Sequence, residues 1–291
     1  MAVGHSPMVR RSRLGAELRK LRRDKQLTIA NVAALVGWQA SELSRLENGK
    51  LRPDLSVVMD ILDALEVIGG QREILISMAR DANQRGWWKA MVGPMFERYR
   101  QIAEIEAGAT DIRQITLLYV PGLLQTEDYA RSRLSHYPGF TEPGALNTAI
   151  HGRLTRQKLL DNEETRYSVI MDEGVLHRRT CQPALMVEQF KHLIKIGQRP
   201  NIQIKVLPFS SEIYERTSMT TGFTLFRYAS PDDPQVAFVE TSSVDLILSD
   251  TEDLARYEGM YQEISSHALS VEDSRTLLEE ATERFSNEGR R

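Results

Sequence analysis

Gln39, Ser41, Glu42, Ser44 and Arg45 crowd onto one short segment, and such side chains hydrogen-bond base edges and phosphate oxygens. The frame around them, Thr28 to Gly49, sets their direction. With Ile29 as first position, apolar residues fall at Val32, Val36, Trp38, Leu43 and Leu46. Small Ala33 lies midway along the first half and Gly37 lies between the halves. Two helices crossing steeply leave no room for a large side chain at Ala33. A tight turn needs positive φ, which glycine adopts without penalty. The pattern predicts two short helices joined by a three- or four-residue turn, the geometry that offers a helix to the major groove. An ordinary αα-hairpin with a glycine corner does not require so many position types to agree.

Other elements must hold that pair in place. Residues 1–10 read as a disordered N-terminus, followed by an amphipathic helix over Arg11–Lys25 with Leu14, Leu18 and Leu21 on one face. Thr28 is a natural N-cap, and Asn48-Gly49 ends the second helix of the pair with Gly49 just past its end. A helix over Asp54–Glu66 repeats Leu55, Val58, Met59, Leu62 and Leu65 at helical spacing, and another covers Gln71–Asn83. The prediction is an all-α domain over residues 11–83, its motif at 28–49.

The charge is uneven. Residues 10–53 hold 11 Lys/Arg against four acids, a net of +7, whereas the rest of the chain nets −10. A basic head on an acidic body suits binding a polyanion with one end. One cysteine, Cys181, excludes an internal disulfide and a cysteine-based zinc site, and the six histidines are scattered. No apolar run reaches membrane-spanning length and the N-terminus lacks a signal-peptide core, so no membrane partner and a cytoplasmic location are expected. No cofactor motif is present.

Leu18-Arg-Lys-Leu-Arg22, Leu27-Thr28, Gly37-Trp38 and Leu43-Ser-Arg-Leu-Glu-Asn-Gly-Lys50 together resemble the Cro/cI, or Xre-type, helix-turn-helix family. The resemblance implies a transcriptional regulator that reads a double-stranded DNA operator as a homodimer. It places Gln39, Ala40, Ser41 and Arg45 against bases, and Thr28, Ser44, Lys50 and Arg52 against phosphates. It also implies a structural ion pair between Arg22 and Glu47. Two positions depart from the family pattern. Ile29 stands where a phosphate-binding Gln is usual, and Ala40 and Ser41 are short. Arg45 is thus the one long side chain able to grip a guanine through O6 and N7, with DNA shape supplying further discrimination.

Residues 84–291 change character. Strand-like runs appear at Ile112–Tyr119, Tyr167–Met171, Ile202–Leu207, Thr220–Tyr228, Val236–Glu240 and Val244–Leu248. Helical runs appear at Met95–Ala107, Glu127–His136, Leu146–Asn162, Ala184–Ile196, Glu252–Ala268 and from Val271 to about Phe285. The prediction is a mixed α+β (α/β) domain with a sheet of about five strands. Pro121-Gly122 reads as a type II turn, with positive φ at the glycine. The runs Val120–Ala130, Arg153–Gln157, Met171–His177 and Ile204–Pro208 resemble the effector-like domain of uncertain role that follows Xre-type domains in many actinobacterial regulators. Some relatives resemble antitoxin-type regulators that hold a small partner protein encoded nearby.

Within this half one cluster stands out. Asp172-Glu173 ends a strand, with Arg153 and Arg156 nearby in sequence. One reading has the acids cap the next short helix and pair with an arginine. The other has them share a ligand or partner pocket with Trp87 and Trp88. The tryptophan pair itself reads either as a plug between domains or as a binding hot spot. No catalytic constellation is visible. The leading expectation is a DNA-binding regulator that is not an enzyme, with a C-terminal domain for dimerisation, signal or partner binding. The alternative is an antitoxin-like protein-interaction module that autoregulates through its DNA-binding head.

Overall fold

The computed structural model of the chain describes residues 4–91, 96–136, 140, 143–212, 221–241 and 244–289. Residues 1–3 of the expected disordered terminus, and Met95 and Thr220 as expected element starts, lie outside the described residues. The chain groups into two compact units. Unit 1 is Met1–Ala90 with Arg100–Ala109 and Tyr228–Pro234; unit 2 is Met91–Tyr99, Thr110–Arg227 and Gln235–Arg291. A linear division at residue 83 does not contain the two distant pieces of unit 1. An all-α helix-turn-helix region is therefore followed by a mixed α+β region.

Unit 1 holds α1 (Pro7–Asp24), α2 (Ile29–Leu35), α3 (Ala40–Glu47), α4 (Leu55–Ala64) and α5 (Gly69–Ala82). Helix α1 begins before the expected Arg11, so residues 7–10 are helical. Ser6 caps it, its hydroxyl accepting from the Val9 amide at 3.2 Å, and Pro7 occupies the first turn. The Ser6 hydroxyl also donates to the Glu104 carbonyl at 2.6 Å, a tie that no local pattern announces. Leu14, Leu18, Val32, Ala33, Leu43, Leu46, Val58, Ile61, Leu62 and Leu65 form one core. On α4 the buried set is Val58, Ile61 and Leu62, and Met59 faces outward at 39% exposure. Gly15 sets how closely α1 approaches α3: a Cβ there would lie 2.6 Å from the carbonyl oxygens of Leu46 and Glu47.

Unit 2 is built on a six-stranded sheet in the order β3-β2-β1-β4-β5-β6, one strand more than expected. The strands are β1 (Ala109–Thr116), β2 (Arg166–Asp172), β3 (Ile202–Leu207), β4 (Phe223–Tyr228), β5 (Val236–Val239) and β6 (Leu246–Leu248). The division between units cuts through the first residue of β1 and the last of β4. Strands β1, β2 and β3 are parallel, with Ile112 opposite Tyr167 and Val169 opposite Ile204. Strands β4, β5 and β6 are antiparallel, with Thr224 opposite Phe238. Strand β2 carries a continuous buried apolar run, Val169-Ile-Met171, whereas β1 and β3 mix buried with more exposed residues.

The other helices are α6 (Glu97–Glu106), α7 (Glu127–Leu134), α8 (Ala145–Gln157), α9 (Gly174–His177), α10 (Pro183–Ile196), α11 (Thr251–His267) and α12 (Val271–Glu288). Tyr261 and Ile264 of α11 close one sheet face over Ile115, Ile170, Phe223, Leu225, Ala237 and Val239. Helices α10 and α12 pack together, with the Phe190 and Phe285 rings 5.8 Å apart. Pro121-Gly122 is not a type II turn. Gly122–Leu124 forms a 3-10 turn, the Leu124 amide donating to the Pro121 carbonyl at 2.9 Å, and Gly122 has no positive φ. No helix among the described residues is long and apolar enough to cross a membrane.

The close α1–α3 approach gives a direct test. Gly15→Ala pushes a methyl into two backbone carbonyls and is expected to cost about 1–3 kcal/mol in urea unfolding. An unchanged midpoint would contradict the backbone contact.

Candidate nucleic-acid interface

Both ends of the helix pair are fixed locally. The Thr28 hydroxyl accepts from the Asn31 amide at 3.1 Å, and the Asn31 side-chain oxygen accepts from the Thr28 amide at 3.0 Å. After α2, the Trp38 amide donates to the Ala33 carbonyl at 2.8 Å across Gly37, whose φ is 67°. The same wrap ends α3: Lys50 donates to the Arg45 carbonyl at 2.8 Å and Gly49 to Leu46 at 3.0 Å, with φ 66° at Gly49. These are the paired bonds of a helix end closed by a left-handed glycine. At the start of α3 the Glu42 carboxylate accepts from the Gln39 amide at 3.1 Å.

Helix α3 is anchored on its inner side by one ion pair. Arg22 donates from Nε to Glu47 Oε1 at 2.6 Å and from Nη2 to Oε2 at 2.8 Å. Its remaining Nη1 donates to the Leu27 carbonyl at 2.8 Å. Both partners are buried, at 8% and 3% exposure. The hydrogen bond to Glu47 holds the Arg22 guanidinium above its ordinary pKa, against the opposing effect of burial. Arg19 adds bonds to the Glu47 carbonyl at 2.9 Å and to Asn48 Oδ1 at 2.6 Å, placing a cation at the C-terminal end of α3.

With the inner side fixed, Gln39, Ala40, Ser41 and Arg45 are all exposed, and Ser44 is half-buried. Arg45 and Lys50 make no side-chain bond to any described residue. The Thr28 hydroxyl is engaged in its cap. Arg52 is a different matter: its guanidinium bonds Glu104, which also takes Arg11. Arg10 lies near Asp81 and Asp233, and Arg13 bonds Asp233 at 3.0 Å and Asp232 at 2.8 Å. Much of the local positive charge therefore meets carboxylates within unit 1. Residues far away in sequence supply them, and unit 1 has 16 Lys/Arg against 14 acids.

The residues of the other expected cluster divide between the two units. Trp87 and Trp88 fall in unit 1, their rings 5.9 Å apart and nearly perpendicular, with Trp88 buried. Arg153, Arg156, Asp172 and Glu173 fall in unit 2. Asp172 accepts from the Gly174 amide at 2.8 Å at the start of α9, as a helix-start acid does. Glu173 accepts from the Phe209 amide at 2.8 Å and lies 3.0 Å from His177, not from an arginine. Arg153 bonds the Gln125 side chain instead. Burial pushes the thiol of half-buried Cys181 up to about 11.

The Arg22–Glu47 pair yields a stability test. Glu47→Ala leaves a buried guanidinium without its carboxylate and is expected to cost about 3–5 kcal/mol. The pair Arg22→Met with Glu47→Leu should recover most of that loss in urea unfolding. A small loss for Glu47→Ala alone would show that the pair is not needed to seat α3.

A model of a helix-turn-helix domain family matches residues 13–75, over the pair just described. The model of a family described as a domain of unknown function (DUF5753) matches residues 99–280. No curated protein matches the chain, and no solved structure does. The chain belongs to the DUF5753 family and carries a DNA-binding helix-turn-helix domain ahead of that domain.

Proposed function

We propose that the protein is a cytoplasmic, sequence-specific transcriptional regulator that docks α3 in the major groove. The observation that carries this reading is the exposed, unengaged Arg45 on a helix locked from behind by Arg22–Glu47. An arginine free to form two parallel bonds suits a guanine edge, and Ala40 suits a thymine methyl. Gln39 and Ser41 supply shorter-reaching polar contacts at the helix start. Thr28, Ser44 and Lys50 face phosphates, whereas Arg52 stays with Glu104. One helix with a single long reader makes few base contacts, so the protein acts as a homodimer on a palindromic operator, its half-sites about one helical turn apart. Unit 2 then receives a signal or supports dimerisation, and no catalysis is assigned to it.

Binding to a selected operator duplex tests these roles. Arg45→Ala is expected to cost about 1–3 kcal/mol and to relax preference at one base pair per half-site. Lys50→Ala is expected to weaken all sequences alike and to reduce the salt slope by about one. Arg52→Ala should leave the slope nearly unchanged. Equal loss on operator and random DNA for Arg45→Ala would remove its reading role, and a slope change for Arg52→Ala would mean that Glu104 releases it.

A further inference from the structure

The sheet of unit 2 reverses its order at β1. From β1 the chain crosses to β2 and β3 on one side, and β4, β5 and β6 then extend the sheet on the other. Thr110 near the start of β1 bonds the Arg227 carbonyl near the end of β4, and Gly222 lies against the Ile115 carbonyl, so β4 runs antiparallel to β1 and begins beside its carboxyl end. A cavity of about 470 Å³ lies at that position, bounded by the end of β1, the start of β4 and the end of β5. That volume is in the range of small-molecule pockets.

The wall chemistry follows from strand alternation. Ile115, Phe223 and Val239 belong to the core under α11, so Gln114, Thr116, Thr224 and Phe238 fall on the opposite sheet face. All four border the cavity. The Gln114 amide oxygen accepts from the Tyr167 hydroxyl at 2.6 Å, which orients the amide and leaves its NH₂ to donate. Buried Thr224 makes no side-chain hydrogen bond to a described residue. Its hydroxyl oxygen is not sealed from solvent, so it is open to pair with a bound polar group. Phe238 offers a ring, and Leu118, 47% exposed, forms an apolar rim. Glu240 is the one charged residue among those lining the cavity, and the Arg153 guanidinium interacts with it electrostatically. Among the described residues no lysine or arginine lines the wall to meet a phosphate.

The geometry points to a binding site where β1 ends beside the start of β4, for a small, uncharged molecule that joins a planar ring to hydrogen-bonding groups. The site lies wholly in unit 2 and stands whether or not α3 reads DNA.

Three probes with the same ring test it on the full-length protein: tryptophol (neutral), tryptamine (cationic) and indole-3-acetate (anionic). Ligand-observed saturation-transfer NMR should show tryptophol binding more tightly than either charged probe. Thr224→Val, which keeps the side-chain shape, and Gln114→Leu should each weaken it about two- to tenfold. Leu118→Ala, at an exposed position that folding does not depend on, should weaken it as well, with an unchanged melting midpoint. No tryptophol binding at about 5 mM overturns the proposal. So does binding that all three substitutions leave intact, or tighter binding of either charged probe.

Discussion

The buried pair between Arg22 and Glu47 is the constraint from which the DNA-facing surface follows. A carboxylate and a guanidinium at 3% and 8% exposure are tolerated because two parallel hydrogen bonds join them and a third binds the Leu27 carbonyl. Arg22 lies on α1 and Glu47 ends α3, so the pair fixes the roll of α3 about its own axis. The apolar residues Leu43 and Leu46 would allow that helix to slide or rotate, since hydrophobic contact is not directional. The planar fork of the guanidinium does not. Once the inner side is fixed, Gln39, Ala40, Ser41 and Arg45 have nowhere to face but outward.

Charge in unit 1 is handled in the same directional way. The basic stretch of residues 10–53 looks like a broad polyanion-binding face when only its composition is considered. In the folded unit, Arg10, Arg11, Arg13, Arg22, Lys25 and Arg52 each meet a carboxylate. Arg45 and Lys50 do not, and they flank the C-terminal half of α3 and the loop after it. Engaging most of these cations keeps non-specific attraction modest and leaves orientation to a few contacts.

The helix pair was legible because its signals are local. Thr28 as cap, Gly37 and Gly49 at positive φ and the apolar spacing all act within a few residues. Strand β2 was legible for a related reason, its buried run Val169-Ile-Met171, and β3 because Ile202, Ile204 and Val206 alternate with Gln203 and Lys205. What escaped is non-local. Helix α1 starts at Pro7 partly because Ser6 reaches the Glu104 carbonyl, 98 residues away. Arg52 looked like a phosphate contact, and only folding brings Glu104 to it. Ile61 rather than Met59 joins the core because α4 packs on a face rotated slightly from the one its spacing suggested. The cavity in unit 2 had no signature either, since Gln114, Thr116, Thr224 and Phe238 meet only when β1, β4 and β5 are paired.

The central claim is that α3, held by Arg22–Glu47, is the surface that meets DNA. Amide hydrogen exchange of the full-length protein with and without a selected operator duplex tests it most directly. The account predicts that protection on binding concentrates between Thr28 and Lys50 and peaks at the start of α3. Protection elsewhere in the chain, with the amides of residues 39–45 unchanged, would contradict it.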